Sequence, residues 1–327
     1  MSCRAPRRIA LALGLAVAAP AQSIADLTTQ LAKAATVDAA MVGDDGGKSD
    51  TYRTYEHWRD RATVAELKEF THHTSPIVRT YAVRALVELD AEVDWPAILQ
   101  GFLRDTIEVT TCSGCCRAKE QVGDVVFGDV RPRLTAEQVQ DFAEAAIRGN
   151  SPLYAREWAL RNLHLRDGML HVVRGLARAG DAPACIALAR YRLPVDVPVL
   201  IALLRRAEPF DENAQFLAAA EHGDPQLLAP LIALEGAATR RLQQDNPSRL
   251  RFWLQAIAVQ QSEPAGAFLD RFLTATHPGS DFREGDLLAT MADTLQPYPD
   301  VAAFTAVRAE LARRQAARPP ATERDRR

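Results

Sequence analysis

The residues best equipped for chemistry are sulfur: Cys112-Ser113-Gly114-Cys115-Cys116, with Cys185 seventy residues on. Thiolates are nucleophiles and soft metal ligands, and in an oxidising compartment they pair. Three chemistries follow. The first is a disulfide. Neighbouring Cα atoms stand about 3.8 Å apart, closer than a relaxed disulfide prefers, so Cys115 and Cys116 should not join each other. Cys112 would instead bond Cys115 or Cys116, with Gly114 allowing the turn; a Cys116–Cys185 bond needs two distant segments side by side. The second is a metal centre, with Cys112, Cys115 and Cys116 as thiolates and a fourth ligand from His72, His73 or Cys185. Zinc is the natural ion, although its strong signatures carry a second ligand pair that is absent here. The third is a redox dithiol, for which only Arg117 and Lys119 are at hand to depress a thiol pKa. The disulfide staple is the expectation carried forward, with no cofactor and zinc as the alternative.

Other spacings say less. His72-His73 are helix neighbours about 100° apart and cannot easily grip one ion; their place near a helix end suits the dipole. Gly47-Lys48-Ser49 resembles the end of a phosphate-binding loop, but the glycine required five residues earlier falls on Val42. Arg79, Arg84, Arg156 and Arg161 recur in register as repeat-face contacts, able to line an anion-binding row or to pair with nearby carboxylates. The chain holds no His-Glu-x-x-His helix and no Gly-x-Ser-x-Gly elbow, and no carboxylate spacing selects a catalytic pair. The sequence therefore points away from an enzyme.

The elements that must position these groups are helical. Thr63 with Glu66, and Thr135 with Gln138, form capping boxes ahead of apolar residues at helical spacing. Ser75-Pro76, Ser151-Pro152 and Asp224-Pro225 each place a capping residue before a proline, which suits a helix's first position. Thr106 to Thr111 is β-branched and favours extended backbone. It predicts an irregular Cys-containing loop around 106–121 that interrupts the helices. Trp58, Trp95, Trp158 and Trp253 read as packing residues.

Of 327 residues, 47% are hydrophobic and 25% charged, the range of globular proteins. Residues 1–21 have the three parts of an export signal: Arg4, Arg7 and Arg8, an apolar run over 9–19, and Ala19-Pro20-Ala21, predicting cleavage between Ala21 and Gln22. The apolar run is too short to span a bilayer, and no other run in the chain reaches 18 apolar residues. The leader and residues 313–327 hold nine of the 39 basic residues but two of the 42 acidic ones, so the body between carries about −10. Such a body lacks the clustered cations that phosphate binding needs, which excludes nucleic acid as the expected partner.

Residues 78–86 (Val-Arg-Thr-Tyr-Ala-Val-Arg-Ala-Leu) align with 155–163 (Ala-Arg-Glu-Trp-Ala-Leu-Arg-Asn-Leu) at an offset of 77, and 185–191 is a fainter third copy. That offset is about two units of a helical-hairpin repeat of ~40 residues. The segment from Ser75-Pro76 to Ala85-Leu86 resembles the second half of a HEAT-type repeat, and the block from Ala65 to Phe127 resembles exported HEAT-like bacterial proteins. The resemblance implies an all-α solenoid of antiparallel helix pairs and a general binding role. The expected organisation is a signal peptide (1–21), a helix and flexible Gly/Asp linker (22–62) and HEAT-like repeats (63–235). A continuation or separate helical bundle (236–315) and a disordered Arg-rich tail (316–327) complete it, with residues 22–25 and 43–50 disordered too. The expected function is an exported, periplasmic or secreted, scaffold for a protein partner. Its rivals are a metal or thiol-redox protein at Cys112, Cys115 and Cys116, and a structural envelope protein.

Overall fold

A computed structural model describes residues 22–43, 46–205, 213–236, 247–275 and 284–317. Among them are seventeen helices and a single three-stranded sheet, so the chain is mostly helical. It forms two compact units: the first runs to Asp94 and adds Ile107–Val130, and the second takes Trp95–Thr106 and everything from Arg131. The first unit is discontinuous in sequence because the 108–121 segment returns to pair with the N-terminal part.

In the first unit, Ser23 and Asp26 close a capping box on α1 (Ile24–Ala32), so described residues expected to be disordered start a helix instead. Strand β1 (Thr36–Val42) follows, then α2 (Asp50–Arg59), α3 (Val64–Phe70) and α4 (Pro76–Glu88). The expected linker is structured where it is described: Gly47 bridges Val42, and the Ser49 hydroxyl caps α2 through Tyr52 N–H. Asp44 and Asp45 lie outside the described residues. After α5 (Trp95–Phe102), which belongs to the second unit, β2 (Glu108–Gly114), β3 (Cys116–Gln121) and α6 (Val122–Val130) complete the first.

Helix α4 is the centre of this unit. Ile77, Val78, Tyr81, Ala82, Val83, Ala85 and Leu86 are all buried, an apolar surface that wraps most of the helix. It packs against α1, α2, α3 and α6 and against β1 and β2. Ser75 precedes it with Pro76 at the first helical position. The Trp58 indole N–H, fully buried, donates to Thr28 Oγ1 at 2.9 Å and ties α2 to α1.

The segment read as an irregular loop is a β-hairpin. β2 and β3 pair antiparallel, Thr111 opposite Ala118 and Cys112 opposite Arg117, and β1 joins β2 in parallel with Asp38 opposite Cys112. Burial does not alternate along β2, where Val109 and Cys112, on opposite faces, are both buried, while β3 is exposed from Cys116 to Glu120. Charges at Arg117, Lys119 and Glu120 discourage pairing of that edge with another chain.

The second unit is helical. α7 (Ala136–Arg148) starts at the Thr135–Gln138 capping box; α8 (Tyr154–Asn162), α9 (Leu170–Ala179), α10 (Ala182–Arg190), α11 (Val197–Leu204), α12 (Ala214–His222) and α13 (Leu228–Ala233) follow. Then come α14 (Pro247–Ala258), α15 (Glu263–Thr274), α16 (Glu284–Leu295) and α17 (Thr305–Ala317). Helices packed two apart in sequence recur: α8 on α10, α10 on α12, α12 on α14 and α14 on α16, with α15 on α17. Neighbours also pack, including α7 with α8 and α9 with α10. Trp253 meets Phe268 and Phe272 edge to face, and the two phenylalanine rings stack, within the shared core. Ala316 and Ala317, placed by the sequence reading in the tail, belong to α17; the rest of the expected tail lies outside the described residues, as does the leader.

Candidate functional site

The sulfur cluster sits on the sheet of the first unit, and the pleat divides it. Successive side chains of a strand point to opposite faces. Cys112 faces inward, 3% exposed, with Asp38 beside it on β1. Arg117 is its partner across β3, so the next residue, Cys116, is directed to the other face. A Cys112–Cys116 staple is therefore disfavoured by the register, and Cys115 occupies the turn. Ser113 pairs with Cys116, so Gly114 and Cys115 form a two-residue turn, with Gly114 at φ +54° as such turns demand. Cys115 and Cys116 are exposed, and their sulfurs stand 3.9 Å apart. The four cysteines among the described residues are free thiols; Cys185 is buried on α10 in the other unit, its Sγ 3.8 Å from the Ala177 carbonyl.

Beneath the sheet lies a buried polar cluster that the sequence reading did not find. The Asp38 N–H donates to the Tyr81 hydroxyl at 2.7 Å, and the Asp38 carboxylate accepts from Ser49 Oγ at 2.5 Å. Its other oxygen, Oδ1, is buried without a hydrogen-bond partner among the described residues. Arg84 donates to the Asp38 carbonyl and to the Asp129 carboxylate, each at 3.1 Å. Tyr55 stacks on Tyr81 with centroids 4.5 Å apart. Burial pushes the Tyr81 phenol above its usual range. Burial likewise raises the Cys112 thiol, and the Asp38 charge adds to the effect. A protonated thiol beside a carboxylate is neither nucleophile nor ready ligand. This cluster clasps β1 onto α2 and α4. The signal available in sequence was Thr36-Val37, β-branched residues ahead of Asp38, but the partner strand lies some seventy residues away.

Asp129 is a contested case. Burial raises its carboxyl above the ordinary Asp range, and Arg84 recovers only part of that. Burial draws the Arg84 guanidinium down, while Asp129 first, with Tyr81 and Tyr55, carries it above its ordinary value. For the pair, the cost of burying the carboxylate is the direction we retain.

Each of the four recurrent arginines binds acceptors within its own unit. Arg79 donates to the carbonyls of His73 and Thr74, Arg84 pairs with Asp129, Arg156 with Asp181 and Arg161 with Glu157. Their spacing repeats but their partners do not. His72 and His73 lie just past the end of α3, and His73 Nδ1 accepts the Ser75 N–H at 3.0 Å, which engages that ring in the link to α4. Lys48 and Ser49 serve the helix that follows them: Lys48 pairs with Glu56 at 2.6 Å and lies over the Tyr52 ring. Among the described residues no group of three or more His, Cys, Asp or Glu is placed to hold a metal, so Cys112, Cys115 and Cys116 do not converge on one ion.

In the second unit an open groove of about 390 Å³ lies between α5 and α7, lined by Gln100, Gly101, Arg104, Ala145, Gly149 and Ser151. Arg104 and Ser151 are committed there to the carbonyls of Gly149 and Leu103. Of the described residues, no helix is long and apolar enough to cross a membrane. No protein-family model, curated protein or solved structure matches the chain.

Proposed function

We propose that this chain is an exported, non-enzymatic scaffold for a protein partner, its second unit a HEAT-like α-solenoid. The observation that carries the reading is the packing of α8, α10, α12, α14 and α16 in succession, each helix also packed on sequence neighbours. Two layers of helices related in this way bury a continuous core and leave extended faces for binding. The repeated Arg-x-x-x-x-Arg segments on α4 and α8 support a repeat origin, and residues 1–21 supply the export signal. The acidic body favours a protein over a nucleic acid.

Reversible crosslinking in the intact cell, pull-down of the tagged full chain and rebinding with the purified partner test this. The scaffold reading expects one discrete protein, recovered in near-stoichiometric amount, that rebinds in saturable fashion. Recovery of no discrete partner, or of one that fails to rebind, overturns it and leaves a structural role in the envelope.

A further inference from the structure

The first unit sorts its sulfur into two kinds. Cys112 is buried beside Asp38, whereas Cys115 and Cys116 stand exposed at the tip of the β2–β3 hairpin. Adjacent side chains of a regular strand diverge. These two converge, to 3.9 Å between sulfurs, because the turn residue Cys115 precedes the first paired residue Cys116. The turn backbone, reversed at Gly114, thus sets the separation.

We propose that Cys115 and Cys116 form a chelating dithiol for a soft, thiophilic ion of the monovalent copper class, held through both sulfurs. The inference is independent of the scaffold reading. Two metal–sulfur bonds of about 2.3 Å to sulfurs at this spacing subtend roughly 115° at the ion, within the tetrahedral-to-trigonal range. No third His, Cys, Asp or Glu among the described residues completes a group with them. Structural zinc takes four protein ligands, so this pair discriminates against it. Soft ions favour thiolate donors and are served by fewer of them. The tip is open, so an ion reaches it without any opening of the fold, and its remaining positions stay available to a small thiol or a second protein.

Phenylarsine oxide probes the chelate geometry without redox chemistry. Two As–S bonds form, the As=O oxygen leaves as water with both thiol protons, and arsenic keeps its oxidation state. Intact mass of the reduced full-length protein should show one adduct, one reagent less one water, resistant to a monothiol and reversed by a dithiol. Cys115→Ser and Cys116→Ser should each abolish it. Cys112→Ser should keep it; if that variant does not fold, blocking exposed thiols of the wild type with maleimide should prevent the adduct instead. Monovalent copper, added under reductant, should then be retained at one equivalent through gel filtration and lost from the Cys115→Ser/Cys116→Ser double variant, whose circular dichroism should be unchanged. Zinc should pass through unretained. An adduct that survives in both single variants, or none in the wild type, overturns the chelate. Copper retained equally by the double variant, or not retained by the wild type, overturns the ion assignment.

Discussion

Gly266 on α15 offers a sharp test of the helix packing. A Cβ at this position would lie 1.9 Å from the Ala303 carbonyl oxygen and 2.8 Å from its carbon. A comfortable C···O contact is about 3.3 Å, so Gly266→Ala must push the 3-10 turn Ala302–Phe304 away by more than an ångström. The obstruction is backbone and cannot rotate aside. Leu269, Phe304 and Val307 are fully buried in this part of the core, and a gap of ~1 Å forfeits up to about half of each dispersion contact there. Overpacking costs ~1–3 kcal/mol, against which alanine returns up to ~1 kcal/mol of helix propensity. With the lost contacts included, the net is a destabilisation of about 2 kcal/mol. For a body of this size that lowers Tm by roughly 4–8 °C. The control is Gly175→Ala on α9, which is exposed and whose Cβ would meet nothing within 4 Å. It should leave stability unchanged or raise it by up to ~1 kcal/mol. Thermal and urea melts of both variants decide the matter: if Gly266→Ala melts with Gly175→Ala, the close approach of α15 to this turn is not real.

Other consequences are equally measurable. Arg190→Ala removes three hydrogen bonds to the end of α8 and should cost ~2–3 kcal/mol in urea denaturation, with Arg190→Lys recovering part; an unchanged midpoint would exclude the staple. The raised Asp129 carboxyl contributes stability that is present below its unfolded pKa and is lost as pH rises through the folded value. The wild type's stability relative to Asp129→Asn should therefore fall as pH rises across the acid range, and a relative gain would mean that Arg84 outweighs burial. Export predicts a mature N-terminus at Gln22, read directly by intact mass of protein recovered outside the cytoplasm; a chain still beginning at Met1 there would refute the signal.

What could be read in advance was local. The Thr63–Glu66 and Thr135–Gln138 capping boxes span four residues each, and both form. Ser23 with Asp26 carries the same signal, and the sequence reading overlooked it. Ser151-Pro152 fails as a helix start because the Ser151 hydroxyl donates to the Leu103 carbonyl, 48 residues away, and α8 begins at Tyr154. The extended character of Thr106 to Thr111 was legible from β-branching; its pairing with Thr36–Val42 was not, since strand partners are set by contacts distant in sequence. The same limit applies to the site. Spacing alone put Cys112, Cys115 and Cys116 together, and only the register showed that Cys112 faces away from Cys116. Arg79, Arg84, Arg156 and Arg161 recur by period, yet each takes whatever acceptor its surroundings supply.

Arg190 and Arg192 have a consequence for how the second unit comes apart. Arg190, in the last turn of α10, donates backwards to the carbonyls of Leu160, Arg161 and Leu163 at the end of α8. Arg192, just beyond the same helix, donates forwards to the Glu221 carbonyl in the last turn of α12. Fraying of α10 would strip hydrogen-bond partners from the last carbonyls of both neighbours at once. A chain of helices laid side by side can in principle peel open one pair at a time. Here the fastening points are shared, so α8, α10 and α12 should exchange their amide protons with solvent at one common free energy, as a single zipped block. A partner that grips any one of the three would then quiet the exchange of all of them.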